Sequence, residues 1–239
     1  VVEQYLQTAS AQGKAIAISI MLYEDLGRDA TPPRVYASLG RSGGWVAQPA
    51  GCAAMTYPAW GDAGWEAAFA AFVLQFAARF DGDPRIHSVW ICTGIYGETV
   101  VSKTVGSCTY DVSGHNFAWW VRRASTTYAE AFTRTPLFLI ATGATDRGDI
   151  SQHAASLGVG IKQNALGPGD LPNHHGLRTV AGLLDVAAAH CSNVPCAVEH
   201  FYANNPAQTY AAMLLGLTGY RMAALDLPDT HLDTLATVR

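Results

Sequence analysis

Short apolar runs alternate along the chain with longer stretches whose apolar positions recur every three or four residues. The second pattern predicts amphipathic helices, and the first, rich in Ile, Val and Leu, predicts buried strands. Residues 2–12 read as a helix stopped by Gly13. A strand over 15–22 follows and gives out into the polar cluster Tyr23-Glu24-Asp25. Helical spacing returns over 65–80, and Asp81-Gly82-Asp83-Pro84 breaks it. Further strands are predicted over 86–95, 136–141, 158–162, 195–201 and 220–226. Helices over about 117–133, 149–156, 177–189 and 206–217 separate them.

Strands alternating with helices imply right-handed βαβ units and a parallel sheet. No repeat, low-complexity tract or linker divides the chain, so residues 1–239 read as one α/β domain. Between strands, 26–61 is rich in Gly, Pro, Ser and Arg; its aromatic residues Trp45, Tyr57 and Trp60 argue against disorder. Neither G-x-G-x-x-G nor a phosphate-binding G-x-x-x-x-G-K-[ST] occurs, so a doubly wound nucleotide-binding domain has no support. In barrels and open sheets alike, functional groups lie beyond the carboxyl ends of parallel strands. Glu24, Asp25, Glu98, Thr142, Gln163, Asn164, Glu199, His200 and Asp226 all stand at such ends.

Charge narrows the range of partners. Charged residues make up 14% of the chain and the formal net charge is −4, with no basic stripe to neutralise phosphates. Nucleic-acid binding and attraction to an anionic membrane surface are therefore excluded on electrostatic grounds. No apolar run reaches the length of a membrane-spanning helix. The start at Val1 carries neither an initiator Met nor the pattern of a signal peptide, which fits either a processed chain or part of a longer one. Five cysteines lack C-x-x-C spacing, which argues against a structural zinc site. Cys191 and Cys196 bracket a short loop that a disulfide could close, and Cys52 and Cys108 could also pair; Cys92 reads as a buried thiol. Five reduced cysteines remain the alternative, whereas oxidised pairs would favour an extracellular or cell-surface protein.

A carboxylate at the end of an apolar strand is costly to bury and needs a partner or a purpose. Glu98 and Glu199 stand out, the first behind a glycine-bearing turn, the second between an apolar run and aromatic residues. Hydrolysis of a glycosidic bond needs a proton for the leaving oxygen and a second carboxylate at the anomeric carbon, which two glutamates supply. Structural ion pairs with basic residues are the competing reading. Trp45, Trp60, Tyr96 and Tyr202 are candidates to stack on sugar rings, or simply to pack in loops. Gln163 and Asn164 are candidates to bond sugar hydroxyls, as are Glu24, Asp25, His200 and Asp226. His174-His175 reads as a solvated loop. No metal or organic cofactor is called for.

The stretch Tyr57-Pro58-Ala59-Trp60, the helix over 65–80, Asp81-Gly82-Asp83-Pro84-Arg85-Ile86 and Gly94-Ile95-Tyr96-Gly97-Glu98 resembles a region of the barrel glycoside hydrolases. The likeness is to the β-galactosidase and cellulase-like superfamily, which places its acids after strands four and seven. It implies a TIM (β/α)8 barrel lacking its first two strands, the six predicted strands being numbers three to eight. Glu98 would then be the general acid/base and Glu199 the nucleophile, acting on a β-linked carbohydrate with retention of configuration. The residue before the acid/base is Gly97 where most members of the superfamily carry asparagine. A non-catalytic carbohydrate-binding or structural protein of the same ancestry is the alternative.

Overall fold

The computed structural model describes residues 1–24, 28–95, 97–100, 102–112, 116–141, 147–166, 189–200, 213–214, 216–217 and 221–226. The chain divides into two compact units, Val1–Leu137 with Gly143–Thr145, and Phe138–Thr142 with Asp146–Arg239.

In the first unit α1 (Val2–Ala11) leads to β1 (Ile16–Ser19), then to the ribbon β2 (Tyr23–Glu24) and β3 (Arg28–Asp29). A short helix α2 (Pro33–Ser38) and a second ribbon, β4 (Trp45–Ala47) with β5 (Met55–Tyr57), occupy the stretch that carries no period in the sequence. Helix α3 (Ala63–Phe80) then leads to β6 (Ile86–Ile91), a third ribbon β7 (Ser102–Val105) and β8 (Cys108–Asp111), and helix α4 (Phe117–Ala131). Strands β1 and β6 are parallel, with Ile18 opposite Val89. Asp62 starts α3 by accepting from the backbone N–H groups of Gly64 and Trp65, satisfying donors that the helix cannot. Trp65, Phe69, Val73, Ala77 and Phe80 form the buried stripe of α3. Trp65 and Phe69 meet Trp120 of α4 edge-on, with centroids 5.0 and 4.9 Å away. Such aromatic pairs add about 0.5–1.5 kcal/mol each beyond area burial.

The segment 81–86 works as a joint at the amino end of β6. The Asp81 carboxylate accepts from the backbone N–H groups of Thr133, Arg134 and Thr135. Asp83 pairs with Arg85, which reaches on to Glu3 of α1 at 2.6 Å. Residues that carried the family resemblance therefore serve architecture at the strand end away from Glu98.

The second unit contains β9 (Leu137–Ile140, its first residue counted with the first unit), α5 (Arg147–Ser156), β10 (Gly160–Leu166), β11 (Cys196–His200) and β12 (Ala224–Asp226). The four strands are parallel in that order, with Ile161 beside Leu139 and Cys196, and Val198 beside Leu225. Two disulfides form, Cys52–Cys108 in the first unit and Cys191–Cys196 in the second, while Cys92 is buried and belongs to neither. Among the described residues, no helix is long and apolar enough to cross a membrane.

The TIM barrel is not what forms. Eight strands, each paired on both sides, are required to close one. Among the described residues the first unit holds two parallel strands, β1 and β6, and the second holds four, β9 to β12, and β1 and β12 each bond a single neighbour. Ala17 and Ser19 are exposed and Ile16 and Ile18 only half-buried, the pattern of an edge strand. The expected helices over 177–189 and 206–217 lie outside the described residues, apart from Ala189 in the first and four positions in the second.

Candidate active site

Glu199 sits one residue before the end of β11, with its backbone beside Asn164 of β10 and Asp226 of β12. Strand register thus gathers three polar positions at one end of the second unit's sheet. Lys162 is the residue that sequence reasoning missed. It is 1% exposed, and its Nζ donates to Glu199 Oε2 at 2.9 Å. An ammonium so deeply buried is stable only beside compensating charge, and Glu199 supplies it. The Glu199 side chain keeps 26% of its surface exposed, so it joins a buried cation to solvent. The signal was a lone lysine inside the apolar run Val159-Gly160-Ile161-Lys162.

Gln163 and Asn164 lie within β10 rather than after it. Gln163 is fully buried and its Nε2 donates to the Ala141 carbonyl at 3.1 Å, so it ties β10 to the end of β9. His200 ends β11 with its backbone opposite Leu166.

In the first unit β6 ends at Ile91, and Glu98 is carried by a turn rather than by the strand. Ile95 bridges Val100, the Glu98 N–H donates to the Ile95 carbonyl at 3.0 Å, and the Gly97 N–H to the Gly94 carbonyl. Gly97 holds φ +79°, and a Cβ there would stand 2.9 Å from Cys92 Sγ. A Cβ on Gly94 would stand 2.5 Å from the Val100 carbonyl oxygen. Both glycines are therefore built into the turn that presents the half-buried Glu98.

Trp60 has no face to offer a sugar. It is 1% exposed, with its ring against Tyr57 and Phe117 at 5.1 and 5.2 Å, so it belongs to the core. Trp45 is half-buried, with the Arg41 guanidinium 4.3 Å from its ring centroid and its Nε1 donating to the Trp60 carbonyl. Glu24 closes β2 with its backbone beside Arg28. Asp25, Tyr96, Tyr202 and the pair His174-His175 lie outside the described residues. Compared with known protein families and with curated proteins, the chain matches none.

Proposed function

We propose that the chain is a retaining glycoside hydrolase acting on β-linked oligo- or polysaccharide, with Glu199 as its nucleophile. One observation carries the reading: Glu199 stands near the carboxyl end of a parallel strand, with Oε2 held by Lys162 and a quarter of the side chain still open to solvent. A carboxylate fixed by one oxygen presents the other for bond formation, as attack on an anomeric carbon requires. Asn164 and Asp226, whose backbones lie beside Glu199 in the neighbouring strands, remain its proposed substrate-binding companions. The resemblance nominates Glu98 as the acid/base that protonates the leaving oxygen and later activates water. The two disulfides support an extracellular or cell-surface location, where oxidised cysteines persist.

A second reading, carbohydrate binding without catalysis, draws on the same ion pair, because Glu199 also serves as counter-charge to a buried lysine. Hydrolysis of a panel of aryl β-glycosides by the wild type and by Glu199→Gln and Glu98→Gln separates the two. Loss of activity by several orders of magnitude in both folded variants, with a β-configured first product, supports the hydrolase. Activity surviving one change removes that residue from the mechanism. Binding of oligosaccharide without turnover in the wild type selects the second reading.

A further inference from the structure

We infer that a cavity in the first unit binds a small amphiphile with an apolar body and a single anionic head, the head held by Arg34. The site does not depend on the chemistry of Glu199.

The cavity lies between the residues that follow β1, the start of α2 and the flank of α3, and its volume is about 490 Å³. Small-molecule sites span roughly 300–1,000 Å³. Leu22, Trp65 and Phe69 line it from the core, and Met21 and Phe72 line it at the surface, 46% and 44% exposed. Two large apolar side chains left in water around one concavity mark a binding site more strongly than the same residues scattered singly. The walls are formed in advance. Trp65 stacks on Phe69 with centroids 5.7 Å apart, and its Nε1 donates to Thr31 Oγ1 at 3.0 Å. The indole donor is thus engaged inside the protein, and the ring offers the cavity only its apolar surface. A lining already held in this way loses little freedom when a ligand enters.

Charge fixes the other half of the ligand. Arg34, exposed on α2, is the only charged residue in the lining, and among the described residues no carboxylate pairs with it. Asp29 of nearby β3 is engaged elsewhere, accepting from the Tyr36 hydroxyl and the Thr31 N–H. An apolar recess with a guanidinium at its edge selects a molecule whose body leaves water and whose head carries negative charge. A carboxylate suits the planar fork of the arginine, which can donate two parallel hydrogen bonds to it. A sugar ring is a poor occupant. Besides Arg34, the lining offers its hydroxyls only the Thr31 hydroxyl and the Gln75 amide as side-chain partners.

The test is calorimetric titration of the full chain with three ten-carbon probes below their micellar concentrations: decanoate, decan-1-ol and decyltrimethylammonium. We expect one saturable site for decanoate, with the alcohol roughly tenfold weaker or more and the cation weaker still. Arg34→Gln, a change at an exposed position, should bring decanoate down to the level of the alcohol and leave the alcohol where it was. Ala71→Trp, also at an exposed position, fills the cavity with a bulky ring and should abolish binding of all three, while circular dichroism reports the fold intact. No saturable binding of decanoate by the wild type overturns the site. Equal affinity for the three probes, or a folded Arg34→Gln that keeps full affinity for decanoate, overturns the anionic head. Binding that persists in folded Ala71→Trp overturns the cavity as its seat. A wild type that sediments as a dimer and an Ala71→Trp that sediments as a monomer assign the cavity to a second copy of the chain and overturn the ligand.

Discussion

Lys162 Nζ lies 2.9 Å from Glu199 Oε2, although the strand register sets the lysine beside Ala197, two residues short of the glutamate. A side chain that leans along its strand to reach a charge is held at both ends, by packing on its stem and by the ion pair at its tip. Glu199→Gln removes the charge and leaves the ammonium buried, so we expect unfolding free energy to fall by about 1–3 kcal/mol. The loss should be smaller than for a fully enclosed pair, because 26% of the Glu199 side chain already meets water. Adding Lys162→Met to that variant should recover part of it, since the buried ammonium is then removed as well. Urea denaturation of the four proteins of this cycle measures the coupling. A coupling of zero would mean that the pair adds nothing to stability.

The joint at the start of β6 makes stability depend on acid. The Arg85 guanidinium, and then the Arg85 N–H, hold the Asp83 carboxyl down at about 2. Partial burial pushes the Asp81 carboxyl up, but the backbone N–H groups of Thr135, Arg134 and Thr133 outweigh it and leave Asp81 well below the usual range. Both carboxyls thus take up protons more readily in the unfolded chain. Their contribution is complete above the ordinary aspartate value near ~4 and is lost as pH falls from there toward 2. The urea midpoint of the wild type should drop across this window, and the gap between wild type and Asp83→Asn should close with it. A gap that stays constant from pH 7 to 2.5 would show that Asp83 does not stabilise the fold through its charge.

Individual strands were legible where both faces are covered. β6, β9 and β11 begin within a residue of the apolar runs that predict them, because such runs report burial directly. Strand ends were less legible. Residues 92–95 continue past β6 into the Glu98 turn and stay buried there, with Trp120 Nε1 of α4 donating to the Thr93 carbonyl at 3.1 Å. Barrel closure was not legible at all, since it depends on which strands pair across distant parts of the chain, a non-local matter that no periodicity records. The ribbons β2–β3 and β4–β5, with strands of two and three residues, are too short to show a period. Among site residues, Trp60 looked like a platform because its neighbours are loop-forming. Lys162 went unremarked because a lysine within an apolar run reads as an interruption rather than as the buried half of an ion pair.

The two disulfides should differ in what they contribute. Cys52 and Cys108 are 56 residues apart, whereas Cys191 and Cys196 are separated by 5. In the loop-entropy account, closing the longer loop restricts the unfolded chain more, by roughly 4 kcal/mol against about 2 for the shorter. The longer link also works with the bond from the Tyr110 hydroxyl to the Ala53 carbonyl, 2.9 Å long, in holding β8 near the approach to β5. Paired serine substitutions, compared by urea denaturation, should therefore cost more at 52 and 108 than at 191 and 196. The opposite order would place the stabilisation in the native contacts of the short loop rather than in the entropy of the unfolded state.

Gly97 offers a test of why this chain carries glycine before Glu98 rather than a residue with a side chain. Two costs oppose any side chain there, and they can be separated. The backbone cost comes from φ +79°, a left-handed conformation worth about 1–2 kcal/mol against alanine and less against asparagine, which adopts it more readily. The packing cost comes from a Cβ 2.9 Å from Cys92 Sγ and 3.2 Å from Met21 Cγ, and it applies to both residues alike. Gly97→Ala should therefore destabilise more than Gly97→Asn, while neither matches the wild type. In a Cys92→Ala background the packing cost falls, so both substitutions should become less damaging by a similar amount, and their order should persist. Urea midpoints of the six proteins decide it. Equal costs for Ala and Asn would assign the glycine wholly to packing against the buried thiol. No relief on removing Cys92 would assign it wholly to the backbone of the turn, and in that case the identity of residue 97 follows from how Glu98 is presented rather than from what lies beneath it.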